Sequence, residues 1–345
     1  MKENITLYFF QGIASILVVF IHIPFPGVLG TVVTAWARIS VPLFFMVSGY
    51  SLYPYIGTNQ FRKKVTQRLK RNGAIMITGL SVYFLVDIAK CILKRESVWT
   101  FLGPAFAKAN LVKLVTLGVI PPGTGGVMWF MIALVYIYTL LLFLEPLLKK
   151  ETVNAGGTAF ACMVLLGLIK IIVTALDLHI GSFYLGSNWI YGNWITIGLP
   201  ALTIGISLRK VIEDGTWKNF RCETVLVVMA LCMTATSIES LILDRKLNLY
   251  LSYSVFTLIV DCCIFVLAQR SYFRPENPMV KVGKYYSRDL YLWHPLVMSA
   301  ASISVSTLRL GNNVAVMYLQ PVAVLIVSLL VSIVLSKIER RFTDG

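Results

Sequence analysis

Apolar residues run through this chain in long blocks separated by short polar segments, and they lack the alternating faces of a soluble fold. A helix needs about 20 mostly apolar residues to cross the roughly 30 Å hydrocarbon core of a bilayer. That rule predicts spans near 5–24, 39–57, 73–93, 127–148, 158–177, 190–208, 223–243, 249–269, 289–307 and 315–336. The expected fold class is therefore all-α integral membrane, a polytopic bundle of about ten helices read as one membrane-embedded domain over 1–345. The apolar run Leu111 to Ile120 is too short to cross and belongs to a long connection, 94–126. That connection ends in Pro121-Pro122-Gly123-Thr124-Gly125-Gly126, which lacks the Gly-Lys-Ser/Thr of a P-loop and reads as a flexible turn.

Composition agrees with the pattern. Of 345 residues, 57% are hydrophobic and 14% charged, with a mean hydropathy of +0.76, whereas soluble domains are roughly a quarter charged. A net charge of +15 on a soluble protein would suggest nucleic acid. Here the placement of the charges matters more. With the N-terminus inside, inner segments hold 21 Lys and Arg, outer segments hold 8, and Lys90 and Lys170 lie within spans. This positive-inside bias places both termini in the cytoplasm. The cytoplasmic charges read first as topology signals. The denser strip from Phe61 to Arg71 also suits lipid phosphates or an anionic cofactor. Ala35-Trp36-Ala37 fits a signal-cleavage pattern but lies well beyond the first apolar stretch, so the first span is expected to be retained. The six cysteines form no C-x-x-C pair, and the three histidines have no zinc spacing, so no metal is expected.

Ionisable groups inside spans are costly and usually face a cavity or a partner. His22 lies near the outer end of the first span, Arg38 opens the second, Asp87 and Lys90 occupy the outer half of the third, and Trp129 begins the fourth. Asp177 ends the fifth, Trp189, Asn193 and Trp194 begin the sixth, and Glu239 lies near the outer end of the seventh. Each has a structural reading: Asp87 and Lys90 neutralise each other three residues apart, and the tryptophans form an interfacial belt. Together they would line an outward-opening polar pocket with aromatic walls. Lys170 and Asp261, nearer the midplane at matching depths, are expected to pair.

The first span runs Gln11-Gly12-Ile13-Ala14-Ser15-Ile16-Leu17-Val18-Val19-Phe20-Ile21-His22. Eleven residues place Gln11 about 16 Å toward the cytoplasm from His22, so one helix offers a polar group near each side of the membrane. Imidazole is the natural neutral-pH base for a hydroxyl.

This stretch resembles the acyltransferase-3 family of integral membrane acyltransferases, whose first span carries Arg, ten residues, then His. Arg38-Ile39-Ser40-Val41-Pro42-Leu43-Phe44-Phe45-Met46-Val47-Ser48-Gly49-Tyr50 is similar to the family's second-span motif, and Trp129-Phe130 occupies the place of its Trp-aromatic pair. Gly198-Leu199-Pro200 resembles its G-x-P, and Tyr291-Leu292-Trp293-His294-Pro295-Leu296 its closing Y-L-x-H-P signature. The second-span motif is also similar to the membrane domain of vancomycin-resistance serine racemases. Their cytoplasmic racemase domain has no counterpart here, so the chain reads as a stand-alone or truncated member.

The resemblance implies transfer of an acyl group, usually acetyl, from cytoplasmic acyl-CoA to a hydroxyl of an extracytoplasmic or envelope glycan, in a bacterial-type plasma (inner) membrane. Acyl-CoA, the glycan acceptor and membrane lipid are the implied partners. His22 is the implied catalytic residue, as base or transient acyl carrier. Gln11, Ser48 and His294 are expected on the donor side, with His294 near the cytoplasmic end of its span. Arg38, Asp87, Trp129, Asn193 and Glu239 are expected to bind the acceptor. Two departures stand out: Gln11 replaces the family arginine, and Met128 stands where relatives often have histidine. They favour a second reading, a non-catalytic binder or transporter of a small polar molecule such as an amino acid. An accessory subunit of an envelope complex is a third.

Overall fold

The computed structural model describes residues 4–121, 123–148, 155–270 and 272–343, without the side chains of 340–343. Lys2, Pro122, Lys149 and Lys150 therefore lie outside the described residues. The protein is an all-α polytopic membrane fold. Among the described residues, eight helical segments are long and apolar enough to cross a bilayer: Ile5–His22, Gly27–Tyr55, Phe61–Leu93, Thr124–Leu147, Gly156–Ala175, Asn188–Glu213, Cys222–Leu247 and Val314–Glu339. Two further expected spans correspond to shorter or more polar helices, Val255–Leu267 and Ser287–Thr307. The chain divides into two compact units, Met1–Phe44 with Val211–Gly345, and Phe45–Lys210.

The first unit is built on α1 (Ile5–His22). Asn4 caps it, its Oδ1 accepting from the Leu7 N–H, while its Nδ2 donates to the Ala268 carbonyl at 2.7 Å. Phe9 stacks on Phe273 at 3.7 Å. Glycines then let α1 meet α13 (Pro278–Lys281) and the π-turn Val282–Tyr286 at backbone distance. A methyl on Gly12 would overlap the Met279 carbonyl oxygen, and one on Gly283 would overlap that of Tyr8. Helix α2 (Gly27–Ala37) is tied to α11 (Cys222–Leu247) at three levels. Thr31 donates to Asp244 at 3.2 Å, Trp36 to Ser237 at 2.8 Å and Arg38 to Ser240 at 2.9 Å. The unit is completed by α12 (Val255–Leu267), α14 (Ser287–Thr307) and α15 (Val314–Thr343).

The second span starts earlier than expected and is interrupted: α2 stops at Ala37 and α3 (Ser40–Tyr50) begins three residues later. Pro42 explains the break, since it has no N–H for the Arg38 carbonyl and its ring crowds that oxygen. The Arg38 and Ile39 N–H groups close tighter turns onto Ala35 and Trp36, each at 3.3 Å.

In the second unit, α4 (Phe61–Leu93) is 33 residues long, about 50 Å, and exceeds the hydrocarbon thickness. The basic strip expected as a loop is its first three turns. Helix α3 meets α10 (Leu199–Glu213) through Gly49, where a methyl would overlap the Leu202 carbonyl oxygen, and Gly205, where it would overlap that of Met46. The long connection folds into two short helices, α5 (Trp99–Ala105) and α6 (Lys108–Leu117), ahead of α7 (Trp129–Leu144). Helix α8 (Gly156–Ala175) leads through a two-strand hairpin, His179–Ile180 with Phe183–Tyr184, to α9 (Asn188–Tyr191) and the π-turn Trp194–Gly198.

Candidate active site

His22 is the last residue of α1 and is exposed. Val19, one turn earlier on the same helix, is fully buried against Leu290 and Val324, with Ile16, Ile23, Val297 and Met298 around them. An apolar floor from α1, α14 and α15 thus carries an imidazole at its edge. That imidazole faces another: the His22 and His294 rings lie 5.2 Å apart at 37°. The sequence placed His294 near the cytoplasmic end of its span, on the donor side. The structure instead sets it beside His22.

His294 is completely buried. Its Nδ1 lies 3.0 Å from the Leu290 carbonyl oxygen, and the Tyr291 carbonyl is a second backbone partner. Pro295 makes the latter available, because a proline leaves the carbonyl four residues earlier without its helical donor. A carbonyl can only accept, so Nδ1 carries the proton and Nε2 presents a lone pair. Nε2 is buried and has no hydrogen-bond partner among the described residues.

A second polar group forms around the break between α2 and α3. Arg38 is 3% exposed. Its Nη1 donates to Ser240 and its guanidinium lies over the Tyr250 ring at 4.3 Å, while its buried Nε has no partner. Glu239 is hydrogen-bonded by Ser254 and feels the Arg38 charge, yet its buried Oε2 is also unpartnered. Ser254 is held by its own capping box with Thr257. The sequence singled out Arg38 and Glu239 but missed Ser240, Tyr250 and Ser254. The Ser254-x-x-Thr257 spacing was the one readable signal.

The remaining expected residues of the second unit serve its own architecture. Asp87 accepts from the Thr124 N–H at 2.8 Å and from the Thr124 hydroxyl, while Lys90 donates to that hydroxyl at 2.6 Å. These bonds pin the glycine-rich turn that leads into Trp129 at the start of α7. Asn193 gives its amide to the Trp189 and Ile190 carbonyls and its Oδ1 to the Ile195 and Thr196 N–H groups. It caps the π-turn and has no atom left for a ligand. Trp129 lies 6.0 Å from Phe45. The Ser48 and Ser51 carbonyls accept from Arg68 at 3.0 and 3.1 Å, so part of the basic strip caps the C-terminus of α3. In the first unit, Gln11 is half-buried in α1 beside the Gly12 contact.

Lys170 and Asp261, expected to pair, fall in different units. Lys170 donates to Asn188 at 2.7 Å and lies 5.8 Å from the Tyr191 ring. Both carboxylate oxygens of Asp261 are buried with no hydrogen-bond partner. A neutral amide and an aromatic face answer the ammonium in place of the carboxylate.

A family model described as an acyltransferase domain matches residues 5–337, nearly the whole chain. The chain belongs to the acyltransferase-3 family. No curated protein and no solved structure matches it. Within this acyltransferase-3 member, the motifs resembling the family's divide by what they do. Arg38, His22 and His294 supply polar groups in the first unit. Gly49 and Gly198 serve packing, since a methyl on Gly198 would meet Ile137 and the Phe45 ring at 3.0 to 3.2 Å.

Proposed function

We propose that this acyltransferase-3 member moves an acyl group, most simply acetyl, from cytoplasmic acyl-CoA to a hydroxyl of an extracytoplasmic or envelope glycan, with His22 as the reacting base. The supporting observation is the pair of imidazoles: one exposed, the other buried with a free acceptor nitrogen. The His22 ring nitrogen takes the hydroxyl proton as the oxygen attacks the thioester carbonyl. The C–S bond then breaks and the departing thiolate takes that proton. Acting as an acyl carrier, the same nitrogen would attack the thioester first and pass the acyl group on from an acyl-imidazole. Arg38 and Glu239, each with one buried unpartnered atom, are the acceptor-binding candidates of the first unit. Asp87 and Asn193 are left out of that role because Thr124 and Lys90 occupy the first and backbone groups the second. The test is label transfer from acetyl-CoA in membranes, where His22→Ala is expected to lose about 10²–10⁴-fold in rate. Full activity in that variant removes His22 as the base.

The interrupted helix at Arg38 favours a second reading, transport of a small polar molecule, because broken helices often line membrane binding sites. Uptake of a labelled amino acid into vesicles free of acyl-CoA would support it.

A further inference from the structure

Among the buried polar atoms that the proposed chemistry leaves unused is the Nε2 of His294. As a packing residue its imidazole is a poor choice, since a phenyl ring would fill the space without burying an unpartnered nitrogen. Two carbonyls on its own helix fix its tautomer so that Nδ1 is the donor and Nε2 the acceptor. Ring nitrogens stand about 1.1 Å from an imidazole centre, so an in-line N–H···N bond of about 2.9 Å spans about 5.1 Å between centres. The observed 5.2 Å matches that length. That separation leaves room for a direct bond between a His22 ring N–H and the His294 Nε2.

We infer that His294 is the positioning residue of His22, its Nε2 accepting a hydrogen bond from the His22 ring N–H and holding that ring with its other nitrogen toward the substrate hydroxyl. The inference rests on His22 being the base. The His22 nitrogen facing the substrate takes the hydroxyl proton and later returns it to the thiolate. The opposite N–H stays on His22 throughout and only donates to His294. Charge on the imidazolium is thereby met by a fixed, buried acceptor. His294 never exchanges a proton and touches neither substrate. It plays the orienting part that a third group plays toward a general base elsewhere.

The test compares His294→Phe, which keeps the volume, with His294→Gln, which restores an acceptor. Phe is expected to lower kcat about 30- to 100-fold with KM for donor and acceptor within about twofold, and Gln to recover most of that loss. In a His22→Ala background, His294→Phe should cost nothing more. Nitrogen-15 spectra of histidine-labelled wild-type protein in nanodiscs should show an unprotonated Nε2 on His294 and a coupling to the His22 N–H. Wild-type kcat in a folded His294→Phe variant, a full additional loss in the His22→Ala background, or a protonated Nε2 would each overturn the inference. Failure of His22→Ala to slow transfer would instead overturn the functional reading, and the nitrogen-15 spectrum would still decide whether the rings are bonded.

Discussion

Arg38 and Glu239 have surroundings that folding alone does not explain. Burying two opposite charges is repaid only when every donor and acceptor is used. Here the guanidinium Nε and one carboxylate oxygen are left over. Each charge is otherwise held: Arg38 by Ser240 and Tyr250, Glu239 by Ser254. These unused atoms are the reason for proposing that Arg38 and Glu239 bind the acceptor. Glu239→Gln keeps the shape and replaces an acceptor by a donor. We expect it to raise the acceptor KM about tenfold or more, from one lost charge-assisted bond of about 1.5–3 kcal/mol. Donor KM should stay unchanged, and steady-state kinetics with each substrate varied in turn would show this. Equal loss for both substrates would place Glu239 in a purely structural role. Asp87 and Asn193 carried the same sequence signal, a polar residue at outer-leaflet depth. Only coordinates separate them from Glu239, because Thr124 on a distant loop and the backbone of a π-turn are partners that no spacing rule reveals.

At the scale of elements, prolines set the interruptions and glycines set the close approaches. Pro42 frees the Arg38 carbonyl and stops α2 at the arginine. Pro42→Ala should let the helix continue, turning Arg38 away from Tyr250 and Ser240. Activity is then expected to fall about tenfold or more while thermal stability holds or rises, which pairs a rate assay with a melting curve. A variant that loses stability and rate together would mean the break is not the proline's work. Gly283 has the opposite signature. A methyl there drives into the Tyr8 backbone, so Gly283→Ala should cost about 3 kcal/mol and lower the melting temperature whether or not substrate is present. An unchanged melting curve would contradict the close approach of α1 to the π-turn. The sequence showed most helices plainly, because twenty apolar residues in a row have few other uses. It misjudged the second and third spans for opposite reasons. In the second, an early turn and a proline hid the true start. In the third, six basic residues extended a helix beyond the membrane and read as loop. Charge marks where lipid ends, and backbone hydrogen bonding need not end there.

For the whole molecule, the loop charges carry a sidedness that geometry alone does not. With 21 basic residues on one side and 8 on the other, both termini are expected to face the cytoplasm. Fluorescent tags or single-cysteine labelling at each end of the chain in intact cells would check it. A terminus reached by an impermeant reagent from outside would reverse the assignment. The same orientation puts His22 at the far end of α1 from the donor side. A step that begins with acyl-CoA in the cytoplasm must then deliver its acyl group across most of the bilayer. The sequence reading named His294 but put it on the donor side, away from His22, which it faces in the structure. Its motif sits early in a helix, and the depth of that helix follows from packing through Gly12 and Gly283, which residue counting cannot supply.

The most direct measurement places labelled acetyl-CoA only on the cytoplasmic face of sealed vesicles that carry glycan acceptor only in the opposite compartment. Label should appear on the acceptor with wild-type protein and fall about 10²–10⁴-fold with His22→Ala, while uptake of small solutes in the absence of acyl-CoA stays at background. Undiminished label in the His22→Ala vesicles, or solute uptake with no label transferred by the wild type, would contradict an acyltransferase whose base is His22.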